Sequence, residues 1–259
     1  MVSGAMTTGQ LESRRVLITG AAGGQGAAVA RRFATEGASL ALSDLASAAL
    51  EALVTEIKST GATATAVPAD IRVEEQVAEA VRNARHFLGG LDVLYNNAGV
   101  YWPNRDAPVD RLDRDVFDEV LAINATGTFL FAKHAIPHLL ESEAGVLLNV
   151  ASVAAYAGDA QCHAYAASKG ALIALTRSIA QHYGPRGLRA NVISPGFIAT
   201  PMVDWLLDDT AATQRVADAT ALRRVGLPEE VAAVATFLAS TAASFVTSTE
   251  IDVHGGLVK

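Results

Sequence analysis

The chain has 259 residues, of which 51% are hydrophobic, and a formal net charge of −7. The core can therefore be large, while the acidic balance excludes the basic face that nucleic-acid binding needs. No apolar run reaches the roughly 18 residues of a membrane-spanning helix, residues 1–10 lack the regions of a signal peptide, and the single Cys162 rules out an intrachain disulfide, which points to a reducing cytoplasm.

In chain order, residues 15–19 read as a strand and 24–36 as a helix, followed by a strand over 39–43 and a helix over 46–59. A third strand is predicted at 64–67 and a helix at 74–88, where Val77, Val81 and Ala84 share one side. Residues 91–95 form a buried-type strand. Residues 117–140 are helical, with a break or kink near Pro137. The pattern then gives a strand at 146–150, a helix at 165–183, a strand at 189–193, a helix at 229–240 and a last strand at 248–253.

Such alternation implies a mainly parallel sheet covered on both faces. The strands are continuous apolar runs, as burial on both faces requires. The expected fold is α/β: a single-domain, Rossmann-like doubly wound sheet of about seven strands over residues 14–259, after a flexible segment 1–13. A TIM barrel has similar length and alternation; the first turn decides against it.

That turn runs Thr19-Gly20-Ala21-Ala22-Gly23-Gly24-Gln25-Gly26 and opens into a helix. Glycines permit a tight turn and close approach of backbone to a pyrophosphate, and the helix N-terminus supplies free N–H groups. The competing reading is a glycine-rich turn without a ligand. Asp44 ends the second strand about 20 residues on, where a carboxylate can accept bonds from ribose hydroxyls; an N-cap for the next helix is its alternative role. A 2′-phosphate would be repelled there, and no arginine compensates at Gly23 or Leu45, so the expected cofactor is NAD.

Tyr165 and Lys169 lie four apart on a predicted helix and share a face. A nearby ammonium favours the phenolate, which could take a proton from an alcohol. An isolated pair of this kind is more often a surface pair. The surrounding order changes that, because Ser152 follows the fifth strand, thirteen residues before Tyr165, at the sheet edge where open α/β folds bind ligands.

With Thr19-Gly-x-x-x-Gly24-x-Gly26, Asp70, Asn97-Ala98-Gly99, Asn124, Ser152, Tyr165-x-x-x-Lys169 and Pro195-Gly196 leading to Thr200, the chain resembles the short-chain dehydrogenase/reductase family over essentially everything after Arg14. The resemblance implies an NAD-dependent enzyme acting on a secondary alcohol or ketone, working as a homotetramer. Tyr165 would be the acid/base and Ser152 the hydrogen-bond partner of the substrate oxygen. Lys169 would hold the nicotinamide ribose, and Asn124 a water that relays protons from Lys169. Asp70, Ile71 and Asn97–Gly99 would line the adenine side, while Thr200 and the backbone near Ile198 would meet the carboxamide. The pairing faces of the tetramer would be Phe129, Ala132 and Ile136 with Ala171, Leu172 and Leu175.

Three departures stand out. Gln25 replaces an aliphatic residue, Ala151 replaces a serine, and Ser248 and His254 stand where the family often has Gly and Asp. The substrate pocket is expected to draw on Trp102, Ala154, His163, Phe197, Met202, Trp205 and Leu206, with Met202, Trp205 and Leu206 on one face of a short amphipathic helix within a lid over 197–220. The alternative to the lid is a permanently packed helix. No metal spacing stands out among the six histidines. Two other functions compete: a dinucleotide sensor that has lost catalysis, and an epimerase or dehydratase that uses NAD.

Overall fold

In the computed structural model, which describes residues 9–257, the apolar runs form the strands of one sheet. The chain runs β1 (Arg15–Thr19), α1 (Gly24–Thr35), β2 (Ser39–Ser43), α2 (Ala48–Ser59), β3 (Ala64–Ala66), α3 (Glu74–Leu88) and β4 (Val93–Asn96). It continues through α4 (Arg114–Leu121), α5 (Thr128–Leu139), β5 (Val146–Val150), the single turn α6 (Ala154–Ala157), α7 (His163–Tyr183) and β6 (Arg189–Pro195). Two short helices, α8 (Asp204–Leu207) and α9 (Thr210–Asp218), precede α10 (Pro228–Ala239) and β7 (Glu250–Val253).

The seven strands are parallel in the order β3-β2-β1-β4-β5-β6-β7. Alternate residues of each strand serve opposite faces. Val16 and Ile18 join Phe33, Leu40 and Leu238 on the side of α1, α2 and α10; Leu17 joins Val77, Phe131 and Ile179 on the side of α3, α5 and α7. The order reverses between β1 and β4, which opens a crevice at the carboxyl ends of the strands. Register aligns those ends: Thr19 lies opposite Ser43 and Asn96, and Asn96 opposite Asn149. Gly20, Asp44, Asn97 and Ser152, which follow them, therefore emerge along one edge.

Several expectations are corrected. Residues 1–8 of the expected flexible segment lie outside the described residues, but Leu11 is fully buried and its N–H donates to Glu36 O at 3.0 Å. Burial of one apolar side chain ties residues 9–13 to the domain. The helix at Pro137 does not break, because α5 continues to Leu139, whose full burial holds the last turn. The irregularity lies upstream, where Ala122–Gly127 widens into a π-helical turn around Asn124; such turns concentrate at functional sites. Helix α2 starts at Ala48 rather than 46 because Ser47 Oγ caps it, accepting the Leu50 N–H at 3.2 Å. Of the expected pairing faces, Ala132, Ile136 and Leu172 are buried within the chain, while Phe129 and Ala171 are exposed.

Candidate active site

A cavity of about 820 Å³ lies along the carboxyl edge of the sheet. One end is the turn after β1. Gly20 has φ +62°, a left-handed conformation that favours glycine. A Cβ on Gly24 would stand 2.7 Å from the Thr200 side chain, and one on Gly26 would collide with Gly20 O. No side chain caps α1 at Gly23, so its first N–H groups face the cavity uncapped. Gln25 Oε1 is buried there without a hydrogen-bond partner among the described residues. A glycine cradle and an uncapped helix N-terminus fit a nucleotide pyrophosphate, and the orphaned Gln25 Oε1 fits a hydroxyl donor beside it, such as a ribose.

Asp44 directly follows β2 with its carboxylate fixed: Oδ2 accepts the Ala22 N–H at 2.9 Å and Oδ1 the Leu45 N–H at 2.8 Å. It lines the cavity beside the turn. Asp70 and Ile71 line the same end, although Arg72 holds the Asp70 carboxylate at 2.6 Å. Asn97 Nδ2 donates to Gly20 O at 3.0 Å, and Thr19 Oγ1 accepts the N–H groups of Asn97 and Ala98 at 3.1 and 3.2 Å. These bonds lock β4's exit onto the glycine turn.

The middle of the cavity holds Ser152, Tyr165 and Lys169. Asn149 Nδ2 donates to Thr176 Oγ1 at 2.8 Å, tying α7 to β5. Ser152, which follows β5, stands beside Tyr165 in the cavity, and its side chain acts to lower the phenol's pKa. Lys169 Nζ donates to Val150 O at 2.9 Å and lies 5.7 Å from the centre of the Tyr165 ring. Burial lowers Lys169 to about 8. Burial also pushes Tyr165 up to about 12, with the Ser152 side chain pulling the other way. In the resting protein loss of water is the main cause of the rise, and the nearby Asp159 carboxylate adds to it. Gly99 brings this group against Asn124: a Cβ there would meet Asn124 Oδ1 at 3.1 Å and Lys169 Nζ at 3.2 Å. The Asn124 side chain accepts the Val100 N–H at 2.8 Å and donates to Val100 O and Ser168 Oγ, both at 3.0 Å.

The other end contains Trp102, Ala154, Phe197 and Met202, as expected, and also Tyr101 and Asp159. Pro195, Gly196, Ile198 and Thr200 also line the cavity, Thr200 against Gly24 of the glycine turn. His163, Trp205 and Leu206 do not line the cavity. His163 Nδ1 accepts the Val109 N–H at 3.0 Å. Leu206 is buried with Val203 and Ala212 in a small cluster of its own, and Trp205, on the other side of the single turn α8, is 49% exposed. The expected common face fails because Pro201–Val203 winds as a 3-10 turn before α8, which changes the angular spacing. The two C-terminal departures are accommodated. Ser248 has φ +60°, a backbone suited to the glycine it replaces, and His254 packs where a Cβ on Gly196 would stand 2.7 Å from its own Cβ.

Asp106 was not legible in the sequence. Its buried carboxylate reaches from the loop after β4 to the start of α7, accepting the Ala164 N–H at 3.1 Å and the Tyr165 N–H at 2.8 Å. It caps the helix in place of Cys162, whose side chain makes no cap. The signal is a contact across 59 residues, with no local pattern. Asp106→Ala should cost ~1–2 kcal/mol of stability and about tenfold in turnover by loosening Tyr165. Denaturant titration and kcat read the two effects; an unchanged kcat in folded variant would confine Asp106 to stability.

Comparison with known proteins agrees with this geometry. A family model described as enoyl-(acyl carrier protein) reductase matches residues 20–258. The cis-4-hydroxycyclohexanecarboxylate dehydrogenase of Sinomonas cyclohexanicum is 38% identical over 243 residues, 94% of this chain and 96% of that protein. The 3-oxoacyl-[acyl-carrier-protein] reductase of Thermotoga maritima is 36% identical over 249 residues, 96% and 99% of the two chains. A Brucella melitensis structure described as a short-chain dehydrogenase/reductase, glucose/ribitol dehydrogenase, superposes with a TM-score of 0.90 at 34% identity, covering 97% of this chain and 99% of that one.

Proposed function

The chain belongs to the short-chain dehydrogenase/reductase family of oxidoreductases, and from that premise we propose that it is an NAD(H)-dependent dehydrogenase of a small, apolar or cyclic secondary alcohol, or a reductase of the matching ketone. The convergence of Ser152, Tyr165 and Lys169 in one cavity with the glycine turn carries this reading. It also weighs against a sensor without catalysis, which has no need of a buried phenol beside a serine and a lysine.

The bound nicotinamide would accept the hydride from the carbinol carbon, or return it to the carbonyl. Gly20, Gly24, Gln25 and Gly26 would hold the pyrophosphate, Asp44 the adenosine ribose, and Lys169 the second ribose. Ser152 and Tyr165 would share the substrate oxygen. In oxidation Tyr165 takes the proton from that oxygen as the C–H bond breaks, and in reduction it gives it back. The buried Lys169 keeps positive charge near the phenol, and the π turn at Asn124 holds Val100 and Ser168 around it. The apolar Val100, Trp102, Phe197 and Met202 favour an apolar substrate body, with residues 197–220 as the cover.

The same reading carries a homotetramer with Phe129 and Ala171 at the contact, which light scattering would read. It also carries a cytoplasmic location, in keeping with the lone buried Cys162. The deciding experiment offers NAD with a panel of secondary alcohols, and NADH with the matching ketones, and follows NADH absorbance. Turnover of at least one pair is expected; none across an apolar and cyclic panel rejects the reading.

A further inference from the structure

Beyond Tyr165 the cavity wall carries Tyr101, Trp102, Asp159 and Met202. Among the described lining residues, the charged groups elsewhere are all accounted for. Asp44 and Asp70 stand at the glycine-turn end, with Arg72 held by Asp70 at 2.6 Å. Glu119 is paired with Arg105 at 2.7 Å. Lys169 is buried on Val150 O. Asp159, like Asp44, has no ion-pair partner among the described residues, but it stands by Tyr101 and Tyr165 and not at the glycine turn.

The Asp159 carboxylate is fixed rather than free. Its Oδ1 accepts the N–H groups of Gln161 and Cys162, both at 2.9 Å, at the entry to α7. Its Oδ2 is turned to the Tyr101 hydroxyl at 3.5 Å. The Tyr101 ring meets the Tyr165 ring edge-on, with centroids 4.9 Å apart. A negative charge thus stands one aromatic ring away from the reacting hydroxyl, on a wall that is otherwise apolar.

We infer that Asp159 makes the substrate end selective for charge, admitting alcohols that are neutral or cationic and rejecting those that carry a carboxylate, sulfonate or phosphate. An anionic substituent would lose its water, meet a fixed like charge and find no free cation. A hydroxyl or ammonium substituent could instead donate to Oδ2. Discrimination here comes from repulsion of the wrong substrate as much as from contact with the right one. The inference rests on the alcohol-oxidation reading and narrows its substrate class.

The test compares three cyclohexanols that differ only at C4, bearing hydroxymethyl, aminomethyl or carboxylate. The native enzyme should show kcat/KM for the carboxylate at least about tenfold below that for the hydroxymethyl compound. Asp159→Asn removes the charge but keeps an oxygen for the Gln161 and Cys162 N–H groups; it should bring that ratio to within about threefold of unity and lower the preference for the ammonium. Asp159→Ser, with a hydroxyl oxygen in place of the carboxylate, serves if the asparagine variant does not fold, and melting temperature checks either. Equal use of carboxylate and hydroxymethyl compounds by the native enzyme, or an unaltered ratio in the neutral variant, overturns the inference. If none of the three is oxidised, the alcohol reading fails for this class, and calorimetric binding of the same compounds to the protein–NADH complex still decides the charge preference. There, weaker binding of the carboxylate upholds the inference, and equal affinities overturn it.

Discussion

Tyr165→Phe is expected to lower turnover by at least about 10²-fold while NADH binding, followed by fluorescence, changes little. The substitution is clean because the ring and the backbone are held independently of the hydroxyl. Phenylalanine keeps the edge-on contact with Tyr101, and Asp106 still accepts the residue's N–H. Only the hydroxyl beside Ser152 and its transferable proton are lost. The pH dependence follows from the same group. Burial holds the phenol at about 12, so the deprotonated form needed for oxidation grows as pH rises, and the oxidation rate should climb through the alkaline range. Reduction needs the protonated form and should not share that climb. A cationic oxidised nicotinamide beside the phenol would move the rise to lower pH. A Tyr165→Phe enzyme with most of its activity would hand the proton transfer to another group.

What the sequence made legible was local. The glycine turn shows because tight backbone needs glycine within a few residues of a strand end, and Tyr165 with Lys169 shows because one helical turn fixes their spacing. The seven strands were readable because burial on both faces leaves apolar runs without alternation. What escaped was tertiary. Asp106 reaches Tyr165 across 59 residues, and Tyr101 reaches Asp159 across 58. Nothing near either residue announces the partner. The π turn at Asn124 was masked by Pro137, which draws attention as a helix breaker yet sits where packing of Leu139 outweighs one missing N–H. His163 and Trp205 were misplaced for a related reason, since proximity in sequence to Tyr165 or Thr200 does not fix which way a side chain turns. The Asp159 carboxylate did carry a signal, an Asp four residues before the start of a helix, but that pattern reports capping and not the wall it faces.

The second large effect concerns the cofactor. The native enzyme should use NAD at least about 10²-fold better than NADP by kcat/KM. Asp44 accepts two backbone N–H groups, from Ala22 and Leu45, and so cannot swing away from an incoming phosphate without leaving both unsatisfied. A 2′-phosphate would carry close to two negative charges onto that fixed carboxylate. Relief by a cation is absent at the adjoining positions, where Gly23 has no side chain and Leu45 is apolar and exposed. Arg72 lines the same end of the cavity, but Asp70 holds its guanidinium at 2.6 Å. Asp44→Ala should therefore narrow the ratio from both sides: NAD loses its ribose partner, and NADP loses the repulsion. Adding Leu45→Arg should carry the preference toward NADP, since the side chain at 45 is already turned out to solvent and has room to reach a phosphate. Direct binding of NADH and NADPH to the resting protein checks this without turnover. Equal affinity of the native protein for both would remove Asp44 from cofactor choice and leave it as a brace between the β1 turn and the end of β2.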